Sequence, residues 1–320
     1  MFSLPGRAFS AELPKCVYFQ PSYFTEKYTI ENFEKEMTLL KEAGIRCLWF
    51  NFVVNNGGAF YPSKAFTPTK PNLLPDFLHT AEKLGMDVYL GTATTKNWYE
   101  ITNKDKTVEY YAKERRKSAE SIREVYALYG KSKAIKGWYI SHEFGLAWMD
   151  DERMMDFYAG VAKDIKEITG GGTVVVSPWL GKAVWSDKET AKWERFLTKC
   201  PIDIIAVQDG VGAHDNSPES VVDYFKHLPP IFKKHGRILW GHFETYEILN
   251  KNKPGKKNDA ALPDRVLRQF DVEGQYVEEI VLFDMSHYMN PDKSERGRVL
   301  YNAVKKRYID KTKPKVQEKQ

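Results

Sequence analysis

Hydrophobic and polar positions alternate along this chain in one repeating rhythm: a short apolar run, then a longer stretch of helical period. "CVYFQPSY" (16–23) reads as a strand. "TIENFEKEMTLLKEAG" follows, with Ile30, Phe33, Met37 and Leu40 on one helical face and Gly44 as the stop. The strand-like runs "RCLWFNFV", "DVYLGTA" and "IKGWYISHE" are each followed by a helical one: "LLPDFLHTAEKLG", "AKERRKSAESIREVYALYG" and "ERMMDFYAGVAKDIKEIT". In the last of these Met154, Tyr158, Val161, Ile165 and Ile168 form a stripe suited to packing on a sheet. The second half continues with "TVVVSPWL", "IDIIAVQDGVG", "RILWGHFETYE" and "EEIVLFDMSHYM". Their helices are "ETAKWERFL", "ESVVDYFKHLPPIFKKHG", "PDRVLRQFD" and "RGRVLYNAVKKRY".

Strands and helices in strict alternation, eight of each, predict an α/β fold: a single (β/α)8 barrel over residues 1–310 with extended loops on its C-terminal face. An open doubly wound sheet is the alternative. It would usually carry a glycine-rich fingerprint after its first strand, and "YFQPSYF" has none. Gly170, Gly171 and Gly172 precede the fifth strand, on the face where a barrel keeps its plain turns, so they read as a turn and not a phosphate cradle.

Composition narrows the classes. The 320 residues are 42% hydrophobic and 28% charged, ordinary for a globular protein with a full core. The net charge of +5 is spread out except in "KKRYIDKTKPKVQEKQ". We read that segment as a solvated helix end followed by a basic, mobile tail over 311–320, not as a nucleic-acid arm. Cys16, Cys47 and Cys200 are odd in number and lack CxxC spacing, which predicts free, mostly buried thiols. No run of about 18 apolar residues predicts a membrane span. "MFSLPGRAFSAELPK" carries no secretory signal as written.

Candidate chemistry gathers where a barrel of this kind keeps it, at the C-terminal strand ends. The first strand supplies Gln20, the second Trp49 and Asn51, the third Thr92 and Thr94. Ser141, His142 and Glu143 end the fourth, and Ser177 and Trp179 the fifth. Gln208 and Asp209 end the sixth; His242, Glu244 and Tyr246 the seventh; Asp284, His287 and Tyr288 the eighth. Period-two alternation puts Gly137, Tyr139, Ser141 and Glu143 on one face and Trp138 and Ile140 on the other. It likewise groups Trp240, His242 and Glu244 opposite Leu239 and Phe243. Both glutamates then point into the barrel mouth, on strands four and seven. Two facing carboxylates are what glycoside hydrolysis uses. Tryptophans favour the same face: Trp49, Trp98, Trp148, Trp179, Trp185 and Trp240 lie at strand ends or in the loops after them, suited to stacking on a sugar's C–H face. Tyr61, in the long second loop, either joins them or pins that loop.

The segments "FYPSKAF", "GMDVYLGTA", "YALYGKSKAIKGWYISHE", "DIIAVQDGVG" and "ILWGHFETYE" resemble, in this order, the bacterial domain-of-unknown-function family 4434, regarded as glycoside-hydrolase-type TIM barrels. The resemblance implies a sugar-acting barrel with Glu143, Gln208, Asp209 and Glu244 in the pocket. The strand placement is also similar to clan A of the glycoside hydrolases, whose acid/base ends strand four and whose nucleophile ends strand seven. There an asparagine that holds the sugar 2-hydroxyl usually precedes the acid/base; His142 stands here instead.

These readings make Glu143 the expected general acid/base and Glu244 the nucleophile, with Asp209 and Glu247 in reserve. Gln20, Trp49, Asn51, Tyr61, Trp98, Tyr139, His142, Trp179, Gln208, Asp209, Trp240, His242, Tyr246 and His287 form the expected binding set for an oligo- or polysaccharide, without metal or cofactor. Burial and the charge of Glu244 are expected to keep Glu143 protonated. Donors such as His242, Tyr246 or His287 are expected to keep Glu244 ionised. Two rival readings remain at this level. One is a metal-dependent hydrolase or isomerase drawing ligands from His142, Glu143, Asp209, His214, His242, Glu244, Asp284 and His287. The other is a glycan-binding barrel without catalysis.

Overall fold

The computed structural model describes residues 9–101, 105–250 and 257–313. Eight parallel strands close into a barrel: β1 (Pro14–Phe19), β2 (Cys47–Phe50), β3 (Asp87–Gly91), β4 (Ile135–Tyr139), β5 (Thr173–Val176), β6 (Ile204–Gln208), β7 (Ile238–Glu244) and β8 (Glu279–Phe283). Each pairs with its neighbours in sequence, and β1 pairs with β8 to complete the ring. The longer helices that follow them are α1 (Ile30–Glu42), α2 (Leu73–Leu84), α3 (Val108–Tyr129), α4 (Glu152–Thr169), α5 (Asp187–Lys199), α6 (Pro218–Phe225), α7 (Leu228–Lys234), α8 (Pro263–Val272) and α9 (Glu295–Thr312). The predicted barrel is therefore present.

The single helix expected over 219–236 is two, α6 and α7, because Pro229 and Pro230 cannot sit in a helix interior. They open α7 instead, where the missing N–H groups cost nothing. Gly170 ends α4 in a left-handed conformation (φ 70°), which makes the triple glycine a helix stop. Of the basic tail expected over 311–320, residues 314–320 lie outside the described residues, and α9 runs to Thr312.

Alternation sorts the strand side chains as read. Tyr18, Trp49, Tyr139, Val175, Ala206, Trp240 and Val281 fill the barrel interior, while Leu48, Phe50, Trp138, Ile140, Leu239 and Phe243 pack outward against the helices. The interior is heavily aromatic. The Trp49 ring lies 4.9 Å from Tyr18 and 5.8 Å from Trp240, centroid to centroid. Truncating an indole as buried as Trp49 leaves a void worth about 3–5 kcal/mol.

The cysteines differ from expectation. Cys16 and Cys47 form a disulfide, and Cys200 alone is free and buried. The pairing follows from register: β1 and β2 set Cys16 directly opposite Cys47, with 4.3 Å between Cα atoms. Among the described helices none is long and apolar enough to cross a membrane.

Above the ring, the long connection after β2 forms Val54–Asn55, Gly58–Ala59 and Thr67–Pro68, which join Ala93–Thr94 in a separate four-stranded sheet. Glu124 of α3 anchors this connection through four bonds. Tyr61 Oη (3.0 Å) and Ser63 Oγ (2.5 Å) donate to its Oε2, and the Lys64 (2.7 Å) and Ala65 (3.0 Å) amides donate to its Oε1.

Candidate active site

The C-terminal mouth of the barrel opens into a cleft of about 1060 Å³. Nine of the sequence-predicted residues line it: Gln20, Asn51, Tyr139, Glu143, Trp179, Gln208, His242, Glu244 and Tyr246. Both carboxylates thus share one cavity, and Trp179, 39% exposed, offers its indole at the rim.

Glu143 stands four residues beyond the last ladder position of β4, on chain held from several sides. Ser141 Oγ donates to the Asn51 carbonyl (2.6 Å), Tyr158 Oη to the His142 carbonyl, and Trp98 Nε1 to the Glu143 carbonyl (2.5 Å). The carboxylate accepts a hydrogen bond from Gln208 Nε2, which also reaches the Ser177 carbonyl at 3.0 Å. It lies deep among protein atoms yet keeps part of its surface open to the cleft, so it is both desolvated and reachable. Burial raises its pKa, opposed only by the Gln208 amide. The charge of Glu244, expected to contribute, is not among the causes.

Glu244 ends β7 and is held at both oxygens. The Ala213 backbone N–H donates to Oε2 (2.8 Å) and Tyr246 Oη to Oε1 (3.0 Å). Burial nevertheless raises its pKa, and the charge of Asp209 raises it further, against those two donors. Burial and Asp209 thus work against the plainly ionised Glu244 that was expected. Of the three expected donors only Tyr246 serves. His242 Nδ1 lies 2.7 Å from Ser177 Oγ, and burial pulls its pKa down to about 3, so its ring is neutral. His287 bonds Asp284 (2.5 Å) and Ser22 (3.0 Å).

Seven predicted binding residues lie outside the cleft lining. Trp49 and Trp240 point inward, but one layer down, in the barrel filling. His142 points outward, as alternation requires of the residue before an inward Glu143. Its Nε2 lies 3.4 Å from Glu114 Oε2, and its ring packs on Trp98 (4.6 Å) and Phe157 (4.9 Å). Trp98 acts from behind by holding the Glu143 carbonyl, and Tyr61 pins its loop. Asp209 is fully buried beneath Glu244, accepting from Val211 N (3.1 Å) and Gln269 Nε2, and is not placed to touch a sugar. His287 likewise stays out of the lining, although its partner Ser22 belongs to it.

Sequence reasoning missed Tyr18, Asn55 and Asn56 among the lining residues, and placed Trp148 on this face without assigning it to the site. Asn55 and Asn56 precede Gly57 and Gly58, a turn signature after a strand that could have marked them. Nothing in the pattern separates Tyr18 from its strand neighbours. Among the described residues no group of three His, Cys, Asp or Glu side chains is placed to hold a metal ion. Of the ligands imagined for one, His142 and His242 are turned to other partners.

A family model described as a domain of unknown function, DUF4434, matches residues 18–295. The chain belongs to this family. No curated protein matches this DUF4434 chain. Among solved structures it is similar to a "putative alpha-L-fucosidase" from Bacteroides thetaiotaomicron, at 18% identity and TM-score 0.76, over 96% of this chain and 99% of that one. An endo-1,4-beta-mannanase from Rhizomucor miehei aligns at 12% identity and TM-score 0.62, over 95% and 96%. A GH99 endo-alpha-mannosidase, also from Bacteroides thetaiotaomicron, aligns at 13% identity and TM-score 0.57, over 93% and 85%. At such identities the likeness establishes the fold alone: the DUF4434 protein has the barrel of these glycosidases.

Proposed function

We propose that this DUF4434 protein is a glycoside hydrolase of oligo- or polysaccharides, with Glu143 as general acid/base, Glu244 as nucleophile and retention of anomeric configuration. The observation that carries the reading is the pair of carboxylates, from the ends of β4 and β7, in one cleft walled by an exposed indole and side-chain amides. Glu143 suits the acid: burial raises its pKa and so favours the protonated form that the leaving oxygen needs. Once the leaving group departs, the same carboxylate takes a proton from water. Glu244 attacks the anomeric carbon as an anion. Its two fixed donors, Ala213 N–H and Tyr246 Oη, support that anion and orient it. Trp179 and Trp148 offer apolar faces to the sugar rings, and Gln20, Asn51, Asn55 and Asn56 offer amides to their hydroxyls.

The test is release of reducing ends from a panel of oligo- and polysaccharides, with the product anomer followed by proton NMR. The wild type should turn over at least one substrate with retention, and Glu143→Gln and Glu244→Gln should each lose about 10²–10⁴-fold. Unimpaired turnover in Glu244→Gln overturns the assignment. Binding without turnover by the wild type leaves the glycan-binding reading in its place.

A further inference from the structure

The residues behind Glu244 form a closed circuit. Its carbonyl accepts from Arg265 Nη1 at 2.7 Å, and its backbone N–H favours the Asp209 anion. Gln269 links these two partners: its Nε2 donates to Asp209 Oδ2, and its Oε1 accepts from Arg265 Nη1 at 2.9 Å. Arg265 Nη2 also donates to the Tyr246 carbonyl at 2.6 Å, fixing the residue whose hydroxyl holds Glu244. The carbonyl and both carboxylate oxygens of Glu244 are thereby engaged. Arg265 and Gln269 sit one turn apart on α8, outside the barrel wall.

We propose that Asp209, Gln269 and Arg265 are positioning residues that clamp Glu244 and make it share one proton with Asp209. The proposal rests on the reading of Glu244 as the attacking carboxylate.

Charge counting supports the shared proton. Three buried carboxylates meet here, Asp209, Glu244 and Glu273, and among the described residues Arg265 is the one guanidinium that acts on all three. Glu273, just past α8, has no hydrogen-bond partner for either oxygen among the described residues, and burial pushes its pKa well up, which favours its neutral form. Tyr246 and Tyr288 are the other titratable groups that sense Glu244, and both are held protonated by burial. One guanidinium offsets one carboxylate, so Asp209 and Glu244 compete for a single negative charge. With the proton on Asp209, Glu244 is the anion and can attack. With the proton on Glu244, Asp209 is the anion and the site is idle. Interconversion moves one proton through water and makes or breaks no other bond. Gln269 biases the balance: its N–H favours the Asp209 anion, so the clamp holds Glu244 protonated until a sugar arrives.

The experiment reads charge directly and needs no substrate. Wild-type protein labelled with [δ-¹³C]glutamate is titrated by NMR, with the Glu244 signal identified by its loss in Glu244→Gln. The wild-type midpoint should lie above that of exposed glutamates. Asp209→Asn should make Glu244 about tenfold more acidic. Arg265→Gln should make it about tenfold less acidic. Gln269→Leu, which spares both charges, should act in the same direction as Asp209→Asn, and it serves if that variant fails to fold. An unmoved Glu244 midpoint in folded Gln269→Leu and Arg265→Gln overturns the proposal. Failure of the hydrolase reading is a separate result: no turnover of any glycan while the midpoints still move as described.

Discussion

The backbone N–H of Ala213 lies 2.8 Å from Oε2 of Glu244, so the loop leaving β6 caps the carboxylate delivered by β7. That approach requires glycine at 212. A Cβ there would stand 2.3 Å from the Tyr246 carbonyl oxygen and 3.0 Å from Glu244 Oε2. Gly212→Ala is therefore expected to push the loop off Glu244 and lower turnover about 10²-fold while the protein stays folded. Comparing kcat with the thermal midpoint checks this; unchanged kcat would mean the cap is dispensable.

Burying Glu244 has a pH signature. Its folded pKa is raised, so the native state keeps a proton that the unfolded chain releases above about pH 4.3. Wild-type stability should fall as pH rises from there through the folded value. Glu244→Gln has nothing to ionise, so it should match the wild type at pH 4 and exceed it at pH 8 by on the order of 1–3 kcal/mol. Urea unfolding at the two pH values measures the difference. A gap of equal size at both would rule out titration as its cause.

Glu124 carries the opposite sign. Burial works upward on it, but bonds from Ser63, Lys64, Tyr61 and Ala65 win, and its pKa is lowered. The stability it contributes is present above the unfolded pKa and fades as pH falls through the folded one. Glu124→Ala should cost about 1–3 kcal/mol at pH 7 and markedly less at pH 3, in thermal melts at both.

Trp179 is exposed enough to be removed without opening the core. Trp179→Ala should weaken binding of a glycan substrate about tenfold and leave the unfolding free energy within about 1 kcal/mol. Calorimetry on an inactive Glu143→Gln background measures it. Undiminished affinity would remove the indole from the binding surface.

The sequence made direction legible better than depth. Period two put Glu143, His242 and Glu244 toward the barrel mouth, and there they lie. The same rule put Trp49 and Trp240 inward but could not say that they fill the layer below the cleft. Carried one residue further, it would have turned His142 outward, where the structure has it, although the expected binding set included that residue. Asp209 follows an inward Gln208, so the same rule turns it outward, toward Gln269 of α8, although the expected binding set included it. Arg265 and Gln269 were invisible for a plainer reason: they come from a helix, and strand-end reasoning never looks there. The Cys16–Cys47 pairing depended on the register of two strands, which no spacing of cysteines along the chain encodes.

The two sides of the cleft rest on different foundations. Gly145, Trp179 and Gln208 bridge to one another above the ring, so the loops after β4, β5 and β6 continue the barrel's own ladder and stand fixed with it. Asn55, Asn56 and Thr94 belong to the small sheet above the opposite rim, moored to α3 through Glu124. Chemistry is thus built into the scaffold, and much of recognition is built onto it. If Glu143 and Glu244 react as proposed, a lineage with this architecture is free to exchange its ligand by rewriting one panel, without disturbing the two carboxylates.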